Sequence, residues 1–545
     1  PVIEGPQTIV SEVRVEGTEQ VEVDDLPRLQ LSTGDPLNPQ LLREDVVTLQ
    51  TFYANRGNAE VQISSDERIS EDRTSAVVTY TVSEGPRIEV GEVIVRGNTY
   101  TDSEVVLRTS DLDEGDPFSY TSILEAQRNL YRLGIFNRVD VQPEQAGTSL
   151  SDRNVVIAVE EGRNLTITGS VGARFARADD EIAPRLAGAM AHRNLFGTGR
   201  YLGLEGVFGP NEREAIVTYR EPFVGRYDVP VLVTLFQTED GTVKERHVRQ
   251  RGASIEASKV SRYRTRWSLQ YQYKLSECQS GTLCDRADEL FVPGLDRSLL
   301  DIEISSVTPT FFWDRRDDVI DPHRGFFTSA SVEYAFPLFS AETKFFKEFV
   351  QGAWYIPVSA RSVFALSARA GLIQPRTGDD PATVDVDESL FVPVAERFTA
   401  GGDTSHRAYP LDLLGTLCGD LVRVGDVDVT VPLPGAEQGC VATLVDLDNA
   451  AGSYRLAPLG GNSEFIFNAE YRFPIFSTLG GAVFVDAGNV FAGSKIDFDD
   501  LRYGVGAGIR YLSPVGPLRI DIGWPLERRI YDRTFTYSIT LGYAF

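Results

Sequence analysis

The sequence predicts an all-β transmembrane barrel preceded by two small α+β domains. Three observations carry this: a tandem repeat fills the first 163 residues, period-two alternation runs through residues 164–545 without a helical crossover pattern, and Tyr, Phe and Trp gather near the strand ends. The expected boundaries are 1–87, 88–163 and 164–545.

The repeat is read from three echoes. Val10-Ser11-Glu12-Val13-Arg14-Val15-Glu16-Gly17 recurs as Val90-Gly91-Glu92-Val93-Ile94-Val95-Arg96-Gly97, a strand alternation closed by a turn glycine. Gly34-Asp35-Pro36-Leu37 recurs as Gly115-Asp116-Pro117-Phe118, and Ser83-Glu84-Gly85 as Glu160-Glu161-Gly162. In the first copy Asn38-Pro39 is an N-cap followed by an N1 proline, and Leu42, Val46, Leu49 and Tyr53 keep helical spacing. In the second, Ser119 caps a helix carrying Ile123, Leu130 and Tyr131, and Gly134 ends it. Strands are expected over 58–64 with 75–82, and over 136–142 with 154–160, giving the order β-α-α-β-β in each copy.

Beyond residue 163 the strands are two-faced. Trp267, Leu269, Tyr271 and Tyr273 share one face of 266–274, and Tyr503, Val505, Ala507, Ile509 and Tyr511 oppose Arg502, Gly504, Gly506, Gly508 and Arg510. Phe535, Tyr537, Ile539, Leu541, Tyr543 and Phe545 share a face of the final segment. Alternation alone suits a soluble sandwich as well as a barrel; the length of the region and the aromatic strand ends favour the barrel. No apolar run reaches 18 residues, which excludes helical spans, while a mean hydropathy of -0.16 is compatible with strands that turn only alternate residues to lipid.

A formal charge of -26, from 53 Lys+Arg against 79 Asp+Glu, argues against nucleic acid as a partner. The cysteines fall as Cys278 with Cys284 and Cys418 with Cys440, in loop-like stretches, which suggests disulfides and an oxidising compartment without fixing connectivity. Pro1 and the lack of a secretory signal point to a processed or truncated chain. The four histidines show no ligand spacing, no nucleophile elbow or phosphate loop is present, and the acids Asp379, Asp380, Asp385, Asp387 and Glu388 read as a solvated loop. No metal, cofactor or catalytic constellation is expected.

One stretch is more specific. Gly401-Gly402-Asp403-Thr404-Ser405-His406-Arg407-Ala408-Tyr409-Pro410 sets an arginine among turn formers, and Glu470 and Asp486 lie downstream on strand faces opposite Ala469, Tyr471, Val485 and Ala487. A buried arginine needs carboxylate partners, and its planar fork can bridge two. In this order the segments resemble the outer-membrane insertase superfamily of BamA, TamA and the two-partner-secretion transporters. There, an arginine motif on a long infolded loop meets acids on the inner barrel wall. Further family-like residues are 193–200, 219–223 and 314–325, and the repeats resemble polypeptide-transport-associated (POTRA) domains. The motif departs from the family at His406 and at Ala408, where glycine is usual; if that glycine takes positive φ, Ala408 is strained.

The resemblance implies sixteen antiparallel strands, an ion triangle of Arg407, Glu470 and Asp486 with Tyr409 beside it, and a chain end similar to the β-signal of outer-membrane barrels. It also implies a non-catalytic, BamA-like assembly factor in the bacterial outer membrane, with its POTRA domains in the periplasm. Its partners would be unfolded outer-membrane clients, accessory periplasmic or lipoprotein subunits, and the bilayer. Clients would enter through a seam between the first strand, 165–175, and the last, 535–545. Leu165, Gly169, Gly172, Gly542 and Phe545 mark that seam, because glycine weakens pairing. Alternatives are a TamA-like autotransporter factor, a two-partner-secretion translocator and, more remotely, a passive channel or receptor.

Overall fold

The computed structural model describes the chain apart from residues 1–6, 145–150, 177–180, 211, 226, 241–247, 262–263, 279–301, 342, 360, 377–391, 425–426, 433–451, 477, 514–515, 530–531 and 542–545. The chain divides into two units, Pro1–Thr166 with His192–Tyr201, and Ile167–Ala191 with Leu202–Phe545.

The first unit holds both repeats. The first repeat runs β1 (Ile9–Glu16), α1 (Pro39–Ala54), β2 (Gln62–Ile69) and β3 (Ser75–Ser83), with sheet order β1-β3-β2. The second runs β4 (Glu89–Arg96), α2 (Ser103–Ser110), α3 (Tyr120–Arg132), β5 (Phe136–Pro143) and β6 (Asp152–Glu161), ordered β4-β6-β5. The expected β-α-α-β-β order holds only in the second copy. In the first, a single 3-10 turn, Val23–Asp25, replaces the first helix. Pro27 explains this: the residue before a proline is pushed out of the helical region, and Leu26 has ψ 151. The strand expected at 58–64 begins instead at Gln62.

Capping follows the sequence. Asn38 accepts from the Gln40 amide at 2.9 Å and Ser119 from the Thr121 amide at 3.1 Å, while Gly134 takes φ 67 beyond α3. Leu42, Leu49 and Tyr53 then pack with Val78 and Tyr80, and Ile123, Ala126 and Leu130 with Val139, Val155 and Ile157.

Each echo has a structural reason. Gly34 and Gly115 take positive φ and donate to Val10 and Val90 carbonyls at 2.8 Å, while Asp35 and Asp116 carbonyls accept from the Val10 and Val90 amides. The turn is thereby stapled to the first strand of each copy. Glu84 accepts the Glu19 and Gln20 amides at 3.0 and 2.8 Å, and Glu161 accepts those of Tyr100 and Thr101. Although partial burial opposes it, hydrogen bonding from Thr101 and Thr99 holds the Glu161 carboxyl at about 2, below its ordinary 4.5. Residues 192–201 belong to this unit: Asn194 donates to Thr101 Oγ1 at 2.9 Å, and the Gly197 carbonyl accepts the Asp102 amide at 2.8 Å.

The main sheet has sixteen strands. The first eleven are β7 (Leu165–Ala176), β8 (Glu181–Leu195), β9 (Arg200–Phe208), β10 (Glu212–Glu221), β11 (Val231–Asp240), β12 (Val248–Val260), β13 (Thr265–Cys278), β14 (Ile302–Asp314), β15 (Gly325–Ala335), β16 (Phe345–Ser359) and β17 (Ser362–Pro375). A separate three-stranded sheet of β18 (Leu417–Val424), β19 (Val427–Pro432) and β20 (Gly452–Pro458) interrupts the series. It resumes with β21 (Ser463–Pro474), β22 (Leu479–Phe491), β23 (Arg502–Ser513), β24 (Gly516–Pro525) and β25 (Thr536–Leu541). Every strand neighbours the next in sequence except that β17 pairs with β21, so the long segment between them leaves the sheet. The antiparallel order ends at β7 on one side and β25 on the other. As the alternation predicts, Trp267, Leu269, Val483, Val485 and Tyr503 are exposed on the apolar face, and Glu470 and Asp486 are fully buried on the other. No helix among the described residues is long and apolar enough to cross a membrane.

Candidate functional site: the buried arginine of the infolded loop

Residues 392–414 pack against the interior face of the sheet. Val392, Phe398, Ala400, Ala408, Tyr409 and Leu414 join Ile304, Phe345, Ile373, Ile466 and Val490 in one apolar cluster. Lys274 reaches Glu396 at 2.6 Å and fixes the segment's beginning by charge. At the turn, Gly401 and Gly402 adopt φ 113 and 88, the left-handed region where a side chain is costly, and the Gly402 amide donates to the Tyr409 carbonyl at 2.9 Å. Ser405 Oγ accepts the Gly401 amide and donates to its carbonyl, both at 2.8 Å. The loop therefore closes upon itself before it meets the wall.

Arg407 stands at the centre. Its amide and Nε donate to Asp486 Oδ2 at 2.9 and 3.0 Å, and Nη2 donates to Asp486 Oδ1 at 2.7 Å. Nη1 donates to Glu470, and the guanidinium carbon lies 3.4 Å from the centre of the Phe484 ring. The carbonyl of Arg407 accepts from Thr536 of the last strand. Asn468 ties loop and wall, donating to the Ser405 carbonyl at 2.6 Å and to Asp486 at 2.9 Å.

The predicted triangle is one part of a larger lattice. Glu470 also accepts from Arg472 at 2.8 Å and Arg510 at 3.2 Å. Arg510 bonds Asp521 at 2.5 Å, and Arg519 bonds Thr540 at 2.9 Å and the Asp403 carbonyl at 3.0 Å. Tyr409 Oη donates to the Glu527 carbonyl at 3.3 Å and accepts from Arg502 at 3.2 Å. His406 lies against the Arg502 carbonyl, its ring edge-on to Tyr409. Sequence reading missed Arg472, Arg519 and Asp521 as members; the available signal was period two, which puts 472 on the face of 470, and 519 and 521 together on another.

The strain expected of Ala408 is absent. Positive φ among non-glycine residues occurs at Arg73, Asp111, Phe196, Arg264, Phe339 and Asp412, not at 408. The space is instead supplied across the gap: a Cβ on Gly504 would collide with Ala408 Cβ, and one on Gly523 would lie 2.6 Å from the Arg407 carbonyl oxygen. Gly504 on the polar face of β23 and Gly523 in β24 make room for the loop.

The other singled-out residues lie elsewhere in the strands or outside the described residues. Leu165, Gly169 and Gly172 lie in β7, with Leu165 exposed. Gly542 and Phe545 lie outside the described residues, as do Cys284, Cys440 and the acids of 379–388. Cys278 ends β13 and Cys418 lies in β18.

Such an arrangement fixes a loop against the wall. Burying so many charges is costly, and only their mutual pairing offsets it, so the lattice contributes specificity of loop position more than net stability.

Residues 194–545 match the Omp85 superfamily domain, and residues 8–85 and 88–162 each match POTRA, the surface antigen variable number repeat. Similar curated proteins include the outer membrane protein assembly factor BamA of Nitratidesulfovibrio vulgaris, 24% identical over 495 residues, covering 89% of this chain and 55% of that protein. BamA of Neisseria meningitidis serogroup B is 22% identical over 575 residues, covering 100% of this chain and 68% of the relative. The chain thus spans 55% to 68% of the length of these two relatives. Among solved structures, BamA from Haemophilus ducreyi lacking POTRA domains 1-3 has TM-score 0.63 at 16% identity, covering 98% of both chains. CdiB from Escherichia coli has TM-score 0.53 at 15% identity, covering 98% of this chain and 90% of the other. These two likenesses speak to the fold.

Proposed function

We propose, for a chain that belongs to the Omp85 superfamily, that it folds and inserts β-barrel clients into the bacterial outer membrane, with its POTRA domains in the periplasm. The observation that carries the reading is a sixteen-stranded sheet whose infolded loop is tied by Arg407 to Asp486, Glu470 and Thr536. The assembly-factor relatives across most of the chain support it. The function is templating, not bond chemistry. An extended client pairs through main-chain hydrogen bonds with an exposed strand edge, which gives affinity with little dependence on sequence.

The seam lies between β7 and β25, the two ends of the strand order. Gly169 and Gly172 weaken the first of these strands. The POTRA sheets present β2 and β5 as edges for clients and for accessory periplasmic or lipoprotein subunits. The four cysteines, Cys278, Cys284, Cys418 and Cys440, suit disulfides in an oxidising compartment, with their connectivity left open.

The test is reconstitution. The chain in lipid vesicles should speed the appearance of a folded, protease-resistant client barrel, added unfolded, over empty vesicles. Removing residues 1–163 should abolish that gain. Equal rates with and without the chain would refute the reading, and full activity of the shortened chain would refute the role given to the POTRA domains.

A further inference from the structure

We infer that the sheet pinches the bilayer beside β10–β12, a flank that includes neither end of the strand order, taking the sheet as the membrane-spanning barrel proposed above. The strand pairing carries this. Residues directly opposite each other in antiparallel strands share a face, so the unbroken registers of β10 with β11, β11 with β12 and β12 with β13 set side chains in rows across the four strands. Leu235, Ile255 and Trp267, all exposed, mark the outward rows.

One outward row is charged throughout and alternates in sign: Arg213, Glu239, Arg249 and Glu277. Arg249 reaches Glu239 at 3.2 Å, and Arg251, one row nearer the apolar belt, reaches Glu277 at 2.6 Å. Arginines held to carboxylates of short stem cannot extend away from hydrocarbon to find water, so the ladder marks where water begins. Beneath it the belt is short. On β12 only Ala253, Ile255 and Ala257 face outward between Arg251 and the exposed Lys259. On β10 only Ala215, Val217 and Tyr219 do so between Arg213 and Glu221, and Tyr219 Oη donates to Glu221 at 2.7 Å.

β23 and β24 differ. Their outward rows pair Tyr511 with Leu518, Ile509 with Ile520, Ala507 with Ile522 and Val505 with Trp524, and the Tyr503 carbonyl accepts the Leu526 amide at 2.9 Å in a fifth row, none of them charged. At about 3.3 Å per residue and a strand tilt of about 40°, five uncharged rows span about 20 Å along the membrane normal, and three span about 10 Å. Tilting a rigid barrel raises one belt and lowers another but changes the width of neither. The lipid has to adapt, and short or disordered acyl chains are the partner that fits this flank.

The test uses the whole chain in dioleoylphosphatidylcholine vesicles, with a nitroxide on a single cysteine and its collisions with oxygen, which favours lipid, compared with those of a water-soluble nickel chelate. Gln237→Cys lies in the row of Arg251, and Lys259→Cys lies eight residues from that row along β12; Leu518→Cys and Leu526→Cys are equally far apart beside the uncharged belt. Val233→Cys serves as the lipid reference at the middle of the short belt. The oxygen-to-nickel ratio should be at least fivefold lower at Gln237 and Lys259 than at Leu518 and Leu526. A ratio at Gln237 or Lys259 equal to that at Leu518 and Leu526 would overturn the pinch. No client is present, so a failure of client insertion and a failure of the pinch are told apart.

Discussion

Arg407 spends its guanidinium on two carboxylates and its backbone on Asp486 again and on Thr536, so loss of its side chain leaves Glu470 and Asp486 buried beside fewer cations. Arg407→Ala should destabilise the folded barrel by about 3–5 kcal/mol, the range for breaking a buried pair from one side. The readout is the denaturant midpoint of the heat-modifiable band. Arg407→Lys should recover little, because a point charge cannot span both acids. Ala408 gives a separate prediction: with no positive φ to relieve, Ala408→Gly should not stabilise. Gly504→Ala should destabilise by about 1–3 kcal/mol through overpacking, and Ala408→Gly should restore part of the loss in the double variant. Strict additivity would contradict the contact. At this scale Arg407, Glu470 and Asp486 were legible because a motif and the alternation converged on them. Arg519 and Asp521 were not, because an alternating Arg-Ile-Asp-Ile in one strand says nothing of which loop atom will meet it across the barrel.

Strands and helices follow local chemistry where caps and glycines write it plainly. Asn38, Ser119 and Gly134 placed the helix ends, and the echoed Gly-Asp-Pro segments proved to be staples. The missing first helix of the first repeat hinged on Pro27, a signal present in the sequence but outweighed by the repeat symmetry. The Glu161 echo acquires a pH consequence. Glu161 is held at about 2 against an ordinary 4.5, so its contribution is complete above 4.5 and is lost as pH falls from there towards 2. Hydrogen exchange at the Tyr100 and Thr101 amides should therefore accelerate across that window. In Glu161→Gln those amides should exchange fast at every pH; an unchanged acid profile in that variant would place the protection elsewhere.

For the whole molecule, the strand order matters more than any one contact. The strand order of the sheet has a first and a last member, β7 and β25. Arg407 and Arg519 hold the loop to that last member through Thr536 and Thr540. Sixteen strands and two repeats were legible from alternation and echo together with family resemblance, whereas the path of the loop depended on glycine gaps in β23 and β24 that alternation alone leaves unassigned. The central claim is the proposal that clients enter between β7 and β25, the two ends of the strand order. It is tested by introducing cysteine pairs along those two strands and following client insertion in vesicles before and after reduction. Insertion should stop when the strands are cross-linked and resume on reduction; full insertion by the cross-linked chain would contradict the account.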